Sequence, residues 1–340
     1  MKTIELHSST IALVSDIHLG LNNSSELFHT ESINFFSRLK KDLIQKNIKD
    51  IIFLGDVFHD RSEISLFTLQ TCTQILNSLK EFNIIVILGN HDVPLKYSHN
   101  QVSSVSILSG YPNVYVVTDV EYIIHKNKKL GFLSWFTDHS KRIEPVDILF
   151  AHLELSNFKF NNYSVCEHGM NASSFLNSSY TSVYTGHFHK HQVHKYTNGK
   201  ITYVGSPFQH NYGDVGNENG YYLLNIETGE DEFCIDSNSP KFFRVGLNEL
   251  PSCPIENNHI KIVLNEELSD TKYEKLCVLV KSKKPKSLTF DHLYSKTQTS
   301  NVSDNSIDEF NILSSTLEFT KSIPEIQYID EIEKRLKNYF

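Results

Sequence analysis

The sequence predicts an α/β protein: a two-sheet sandwich flanked by helices, followed by a small α+β unit and a C-terminal helical segment. Three observations predict it. Five apolar runs rich in β-branched and aromatic residues each stop at a polar, metal-capable side chain, helical stripes separate the first three, and shorter strand-like runs with turn dipeptides follow.

The first three runs are Ile11 to Ser15 into Asp16-Ile17-His18, Ile51 to Gly55 into Asp56, and Ile84 to Gly89 into Asn90-His91-Asp92. Runs of this length bounded by Gly and polar residues read as buried strands, and layered α/β proteins carry their sites outside the carboxyl ends of such strands. Between the first two, Leu27 to Asn47 places Phe36, Leu39 and Leu43 on one helical face; between the next two, Leu66, Leu69, Cys72, Leu76 and Leu79 repeat the stripe. That alternation is a right-handed βαβ series with parallel strands.

From Val114 the signals shorten. Val114 to Val117, Glu121 to His125, Leu130 to Leu133, Ile201 to Val204, Tyr221 to Ile226 and Glu232 to Ile235 read as antiparallel strands and hairpins, with Asn198-Gly199 and Thr228-Gly229 as turns. Among them lie the last two of the five runs, Ile148 to Ala151 into His152 and Val183 to Gly186 into His187-Phe188-His189. After Asp236 the chain is punctuated by Pro240, Pro251 and Pro254, and a β-α-β unit is expected: strand Ile260 to Leu264, helix Asp270 to Val280, strand Ser287 to Phe290.

The expected organisation is a main domain over 1–240, a small unit over 255–294, a polar linker over 295–308 and a helical segment over 309–340. That last segment carries two stripes, Phe310-Leu313-Leu317 and Ile329-Ile332-Leu336-Tyr339. Such a pair cannot bury its own apolar face, so it folds back on the body or docks on another protein.

With 340 residues, 39% hydrophobic, the chain has ample material for a core, and its net charge of −8 excludes a global positive field that would hold nucleic acid by electrostatics alone. The five cysteines, Cys72, Cys166, Cys234, Cys253 and Cys277, form no Cys-x-x-Cys pair and suit reduced thiols in the cytoplasm. The first apolar run spans only Ile11 to Ser15, far short of a signal core or membrane span.

The five stops together supply two carboxylates, one amide and four imidazoles, a mixture that suits a pair of divalent transition ions. One Asp-x-His after a strand is common turn chemistry; five stops in order are not. Hydrolysing a phosphodiester requires a nucleophile at neutral pH, neutralised phosphate oxygens and an acid for the leaving alkoxide, and two ions about 3.5–4 Å apart supply the first two. The shared ligand should be a carboxylate, and Asp56, ending the central strand, is the candidate. Asp16, His18 and His189 complete one ion's shell; Asn90, His152 and His187 complete the other's. In His187-Phe188-His189 an extended segment points both imidazoles to one side. His91 follows a ligand too closely to join it and is free to donate a proton to the leaving oxygen. Asp92 either orients that imidazole or caps a helix. His59 contacts the scissile phosphate, supports His91, or is a surface loop histidine.

Asp16-x-His18, Gly55-Asp56-x-x-His59, Gly89-Asn90-His91-Asp92, His152 and Gly186-His187-x-His189 together resemble the calcineurin-like metallophosphoesterase superfamily. Asp16-Ile17-His18-Leu19-Gly20, Gly55-Asp56-Val57-Phe58-His59 and Tyr203-Val204-Gly205-Ser206-Pro207 look like its SbcD branch, nuclease subunits of the meiotic-recombination-eleven type. The length and Ile323-Pro324-Glu325-Ile326 are similar to the T-even phage recombination nucleases of that branch. The resemblance implies two stacked sheets, two manganese or magnesium ions on the seven ligands, His91 and His59 at the chemistry, a capping unit, and a tail that binds an SMC-like ATPase of the SbcC type. It further implies a homodimer that digests duplex DNA from its ends and cuts single strands internally, in recombination, repair and replication. His59-Asp60-Arg61-Ser62 departs from the Asp-Arg-Gly pattern of Ser/Thr phosphatases. Two rivals remain on the sequence: a stand-alone phosphodiesterase or phosphatase for small molecules, and a DNA-end scaffold with incidental nuclease activity.

Overall fold

A computed structural model describes residues 3–94, 103–135, 143–176 and 181–293. The expected linker over 295–308 and helical segment over 309–340 lie outside the described residues.

The first sheet contains β1 (Thr10–Val14), β2 (Asp50–Leu54), β3 (Asn83–Ile87), β4 (Val114–Val117), β11 (Gly220–Asn225) and β12 (Asp231–Ile235), in the order β12-β11-β1-β2-β3-β4. The second contains β5 (Val120–His125), β6 (Lys128–Leu133), β7 (Ile148–His152), β8 (Thr181–Gly186), β9 (Gln192–Tyr196) and β10 (Gly199–Tyr203), in the order β5-β6-β7-β8-β10-β9. Side chains alternate across the strands of the first sheet. Ile11, Leu13, Ile52, Leu54, Ile85 and Ile87 point inward against Phe132, Phe150 and Tyr184 of the second. Ala12, Val14, Ile51, Phe53, Ile84 and Val86 face the other way, onto Phe36, Leu39 and Leu43 of helix Glu26–Gln45 and Cys72, Ile75 and Leu76 of helix Leu66–Ser78. Burial on both faces is why these runs are continuously apolar.

The sandwich flanked by helices is the architecture expected, with one correction to its pairing. β4 runs parallel to β3, and β6, β7, β8 and β10 are mutually parallel neighbours; among the shorter strands only β5–β6, β9–β10 and β11–β12 pair as antiparallel hairpins. Turn dipeptides mark the β9–β10 and β11–β12 hairpins, whereas the loops that return the chain for parallel pairing carry no such signal.

A third sheet follows, β13 (Phe242–Gly246), β14 (His259–Leu264) and β15 (Ser287–His292), all parallel, with helix Asp270–Ser282 crossing from β14 to β15. The β-α-β unit stands where the sequence puts it, and β13 adds a strand not marked there. His259 at the start of β14 stacks on Phe242 at 4.2 Å and on Phe28 of helix Glu26–Gln45 at 5.9 Å, tying this sheet to the sandwich.

Candidate metal centre

The carboxyl ends of β1, β2, β3, β7 and β8 bring the seven predicted ligands to one place. Asp16 and His18 follow β1, Asp56 follows β2, Asn90 follows β3, His152 closes β7, and His187 and His189 follow β8. Asp16, His18, Asp56 and His187 take φ of 53°, 49°, 53° and 100°. Non-glycine residues held there cost about 1–3 kcal/mol each, and such strain gathers at functional sites. Two tips approach so closely that only glycine fits. A Cβ on Gly89 would lie 2.1 Å from Asp56 Oδ1, and one on Gly186 would lie 2.0 Å from Ser15 Oγ.

Candidate ligand atoms of Asp16, His18 and Asp56 lie within 4.8 Å of one another, as do those of Asp56, His152 and His187. Asp56 belongs to both groups, as a bridging carboxylate must. In the second group the His152 Nδ1–H donates to the Leu54 carbonyl at 2.7 Å, leaving Nε2 to face Asn90 Oδ1 at 3.0 Å and Asp56 Oδ2 at 3.5 Å. His187 Nδ1 is 2.8 Å from the same Asn90 oxygen. With the amide in this orientation acceptors gather around one point, where a cation would satisfy them. Without a metal ion a proton serves: burial works downward, but the Asp56 charge outweighs it and the His152 pKa is pushed up to about 9. Turning the Asn90 amide over would instead point its NH2 at these atoms and its oxygen at Arg61 Nη2, 2.6 Å away. The donor set therefore fits a divalent ion.

In the other half His18 Nε2 lies 3.2 Å from His189 Nε2 and 3.5 Å from Asp56 Oδ2. Burial holds His18 well below its ordinary pKa, so it presents the neutral form a metal takes. Asp16 accepts the His187 backbone N–H at 3.1 Å, and burial raises its pKa. Asp56 is held low despite burial, chiefly by His152 and His18. The Asp214 carboxylate stands 3.9 Å from His189 Nδ1.

His91 lies beside His18 and outside both groups that share Asp56. Its Nδ1–H donates to the His59 carbonyl at 2.6 Å, its backbone N–H to Asp56 Oδ1 at 2.8 Å, and its ring stands 4.7 Å from that of His18. His59 is half-buried, not a surface loop residue; its ring stacks on His91 at 5.4 Å and its Nδ1 is 3.2 Å from His18 Nδ1. Asp92 does neither of the things expected of it. It is fully buried and accepts four backbone N–H bonds, from Asp56, Val57, Phe58 and Gly89 at 2.8–3.2 Å, so it shapes the loop that carries Asp56. Burial, with the Asp56 charge second, pushes its pKa up to about 7 against those donors.

A cavity of 1080 Å³ opens beside this centre, lined by His59, His210, Phe28, Tyr212, His259 and Thr289 among others. On the opposite flank the Trp135 ring lies 5.7 Å from His152 and 5.2 Å from His187.

Residues 9–191 match the family described as calcineurin-like phosphoesterase. The chain belongs to this family. It is a metal-dependent phosphoester hydrolase of the dimetal type. Exonuclease subunit 1 of Enterobacteria phage T4 is 25% identical over 229 residues, 65% of this chain and 66% of that protein. The DNA double-strand break repair protein Mre11 of Methanocaldococcus jannaschii is 23% identical over 263 residues, 70% of this chain and 69% of that protein. The match thus spans just under two thirds of the phage relative. Among solved structures, the Escherichia coli phosphoesterase Yfce aligns at 11% identity and a TM-score of 0.34, covering 65% of this chain and 96% of that one. A Danio rerio dimetal phosphatase aligns at 12% and 0.40, covering 64% and 92%.

The phosphoesterase site also holds residues the sequence reading passed over. Asp214 and His210 come from the loop after β10, where no strand tip announces them. Glu154 Oε2, 3.5 Å from His187 Nε2, follows His152 by two residues. Arg61 entered only as a departure from phosphatases. The Gly213-Asp214 pair is the one signal in the sequence, and no apolar run leads directly into it.

Proposed function

We propose that this phosphoesterase is a manganese-dependent DNA nuclease that digests duplex ends and cuts single strands, working as a homodimer with an SMC-like ATPase of the SbcC type in the cytoplasm. One observation carries the nuclease reading: a dimetal ligand set beside an imidazole, His91, that is anchored through Nδ1 and keeps Nε2 free. The two relatives named for exonuclease and double-strand break repair support the same substrate class.

When bound, the two ions acidify the attacking water and neutralise charge on the phosphate oxygens. Asp56 is the shared ligand; Asp16, His18 and His189 hold one ion, and Asn90, His152 and His187 the other. In its doubly protonated form His91 keeps Nδ1–H on the His59 carbonyl and delivers the Nε2 proton to the leaving 3′ or 5′ oxygen, ending neutral, and His59 keeps the ring in place through that carbonyl and the stack. Substrate reaches this centre from the cavity side. Lys281, Lys283, Lys284 and Lys286 gather at the end of helix Asp270–Ser282, and the strand that follows them contributes Ser287 and Thr289 to the cavity lining. They suit the phosphates of a strand leaving the centre.

The division of the chain follows from this. Residues 1–240 perform the hydrolysis, 255–294 cap the substrate path, 295–308 link, and 309–340 bind the ATPase through Leu313, Leu317, Ile329, Ile332 and Leu336. Exposed Leu66, Phe67 and Leu69 on helix Leu66–Ser78 supply apolar surface for the second copy. Truncation before Glu309 tests the scheme. The shortened chain should hydrolyse bis(p-nitrophenyl) phosphate at the full rate with manganese but no longer co-purify with the ATPase. Unimpaired co-purification, or loss of metals, would refute this division. A full chain that hydrolyses the small diester yet leaves both end-labelled duplex and circular single-stranded DNA intact would make it a small-molecule phosphodiesterase.

A further inference from the structure

His210 lies in the loop after β10, is only 3% exposed, and has no hydrogen-bond partner for either ring nitrogen among the described residues. Its backbone N–H is already committed to Asp214 Oδ2 at 2.8 Å. Its ring stands edge-on to His189 at 4.7 Å and to His18 at 5.3 Å. One nitrogen from each of these three rings lies within 4.8 Å of the other two. Burying polar atoms without partners is costly. Phe208, with its ring 5.4 Å away, shows that these surroundings accept a hydrocarbon ring that would avoid the cost. An imidazole here needs something to bind, and two neighbouring imidazoles bring their nitrogens to the same point.

We propose that His210 is a third imidazole ligand of the ion held by Asp16, His18 and His189. The inference rests on the two-ion reading and deepens it, because the two positions then differ in chemistry. The first offers three nitrogens with carboxylate oxygens; the second offers two nitrogens with the Asn90 amide oxygen and the shared Asp56. The nitrogen-rich position favours borderline ions such as Co²⁺ and Zn²⁺ more than its neighbour does, while oxygen donors suit Mn²⁺ and Mg²⁺. His210 also lines the cavity, so free imidazole can reach its place when the side chain is removed.

The test uses the full chain stripped of metal, titrated with Mn²⁺ and with Co²⁺, beside His210→Ala and His210→Phe. Wild type should take two ions. Both variants should bind one of them roughly 10–100-fold more weakly, the span seen when a group supporting a metal site is lost. That site's Co²⁺ absorption should change, and added imidazole should restore it in His210→Ala. His210→Phe keeps the aromatic volume, so its result decides if His210→Ala fails to fold. Two ions bound with unchanged affinity and an unchanged Co²⁺ spectrum in His210→Phe would overturn the assignment while leaving the two-ion reading intact. A wild-type chain that takes fewer than two ions would overturn both.

Discussion

His152 is fixed by a backbone carbonyl and walled by Trp135, whereas His189 is backed by the Asp214 carboxylate and faces a half of the site with His59 and His210 along an open cavity. The second half is thus built into the strands: Leu54 ends β2, and its carbonyl cannot be removed by changing a side chain. The first half leans on a loop, 25 residues beyond the last strand-tip ligand, whose own shape depends on Asp214. The contrast teaches which half of the site adjoins the cavity and which is open to change. A strand-anchored half keeps its geometry under most substitutions, and a loop-anchored half can be retuned one residue at a time.

Asp56 belongs to both halves, so its loss should erase the contrast. Asp56→Asn is expected to weaken both ions and reduce hydrolysis by more than about 10³-fold, because a neutral amide cannot be shared between two cations. Metal analysis of the purified variant checks this; two tightly bound manganese ions would contradict it. His91 stands outside the two ligand groups that share Asp56, and only its backbone N–H bonds that carboxylate. His91→Ala should keep both ions and DNA affinity while slowing cleavage by roughly 10²–10⁴-fold. Single-turnover rates at saturating manganese separate this from a ligand's loss, since a departed ion would mark His91 as a ligand.

Asp214 divides the halves directly. Asp214→Asn should weaken the first ion by about 10–100-fold and spare the second, the usual effect of removing a carboxylate behind a ligating imidazole. Equal weakening of both in a calorimetric titration would show that the halves are not independently supported.

The smallest effect concerns the stack that ties the third sheet to the sandwich. Burial first, and then Lys286, push the His259 pKa down to about 4. The folded protein therefore holds this ring neutral while the unfolded chain protonates it below about 6.5. Its share of stability is complete above 6.5 and is lost as pH falls toward 4, an amount on the order of 1–3 kcal/mol. His259→Phe keeps the stacking and removes the proton. Melting temperatures of the metal-free proteins at pH 7.5 and 5 should fall less for the variant than for wild type, and parallel losses would exclude His259 as a source of acid sensitivity.

Much of the phosphoesterase core was legible because its strands are buried on both faces and end where the polar chemistry begins: Ile51 to Leu54 could hardly be anything else, and Asp56 follows at once. That rule picks out all seven candidate ligands, which lie together at the strand ends. The same rule has nothing to say about a loop, which is why Asp214 and His210 escaped it. Asp92 was found but misjudged, since its four bonds go to backbone N–H groups of a loop brought to it by tertiary folding rather than to a neighbour in sequence. Strand direction past Val114 failed for a related reason: β6, β7 and β8 are joined by long returns, and parallel pairing leaves no local dipeptide to read.

The central claim is that hydrolysis of DNA needs both halves filled. The most direct measurement is the rate of nucleotide release from end-labelled duplex DNA as manganese is added to the metal-free full chain, with bound manganese per chain measured on the same samples. The account predicts negligible release at one ion per chain and a rate that rises with occupancy of the second. A full rate at one ion, or release that continues without any, would contradict it.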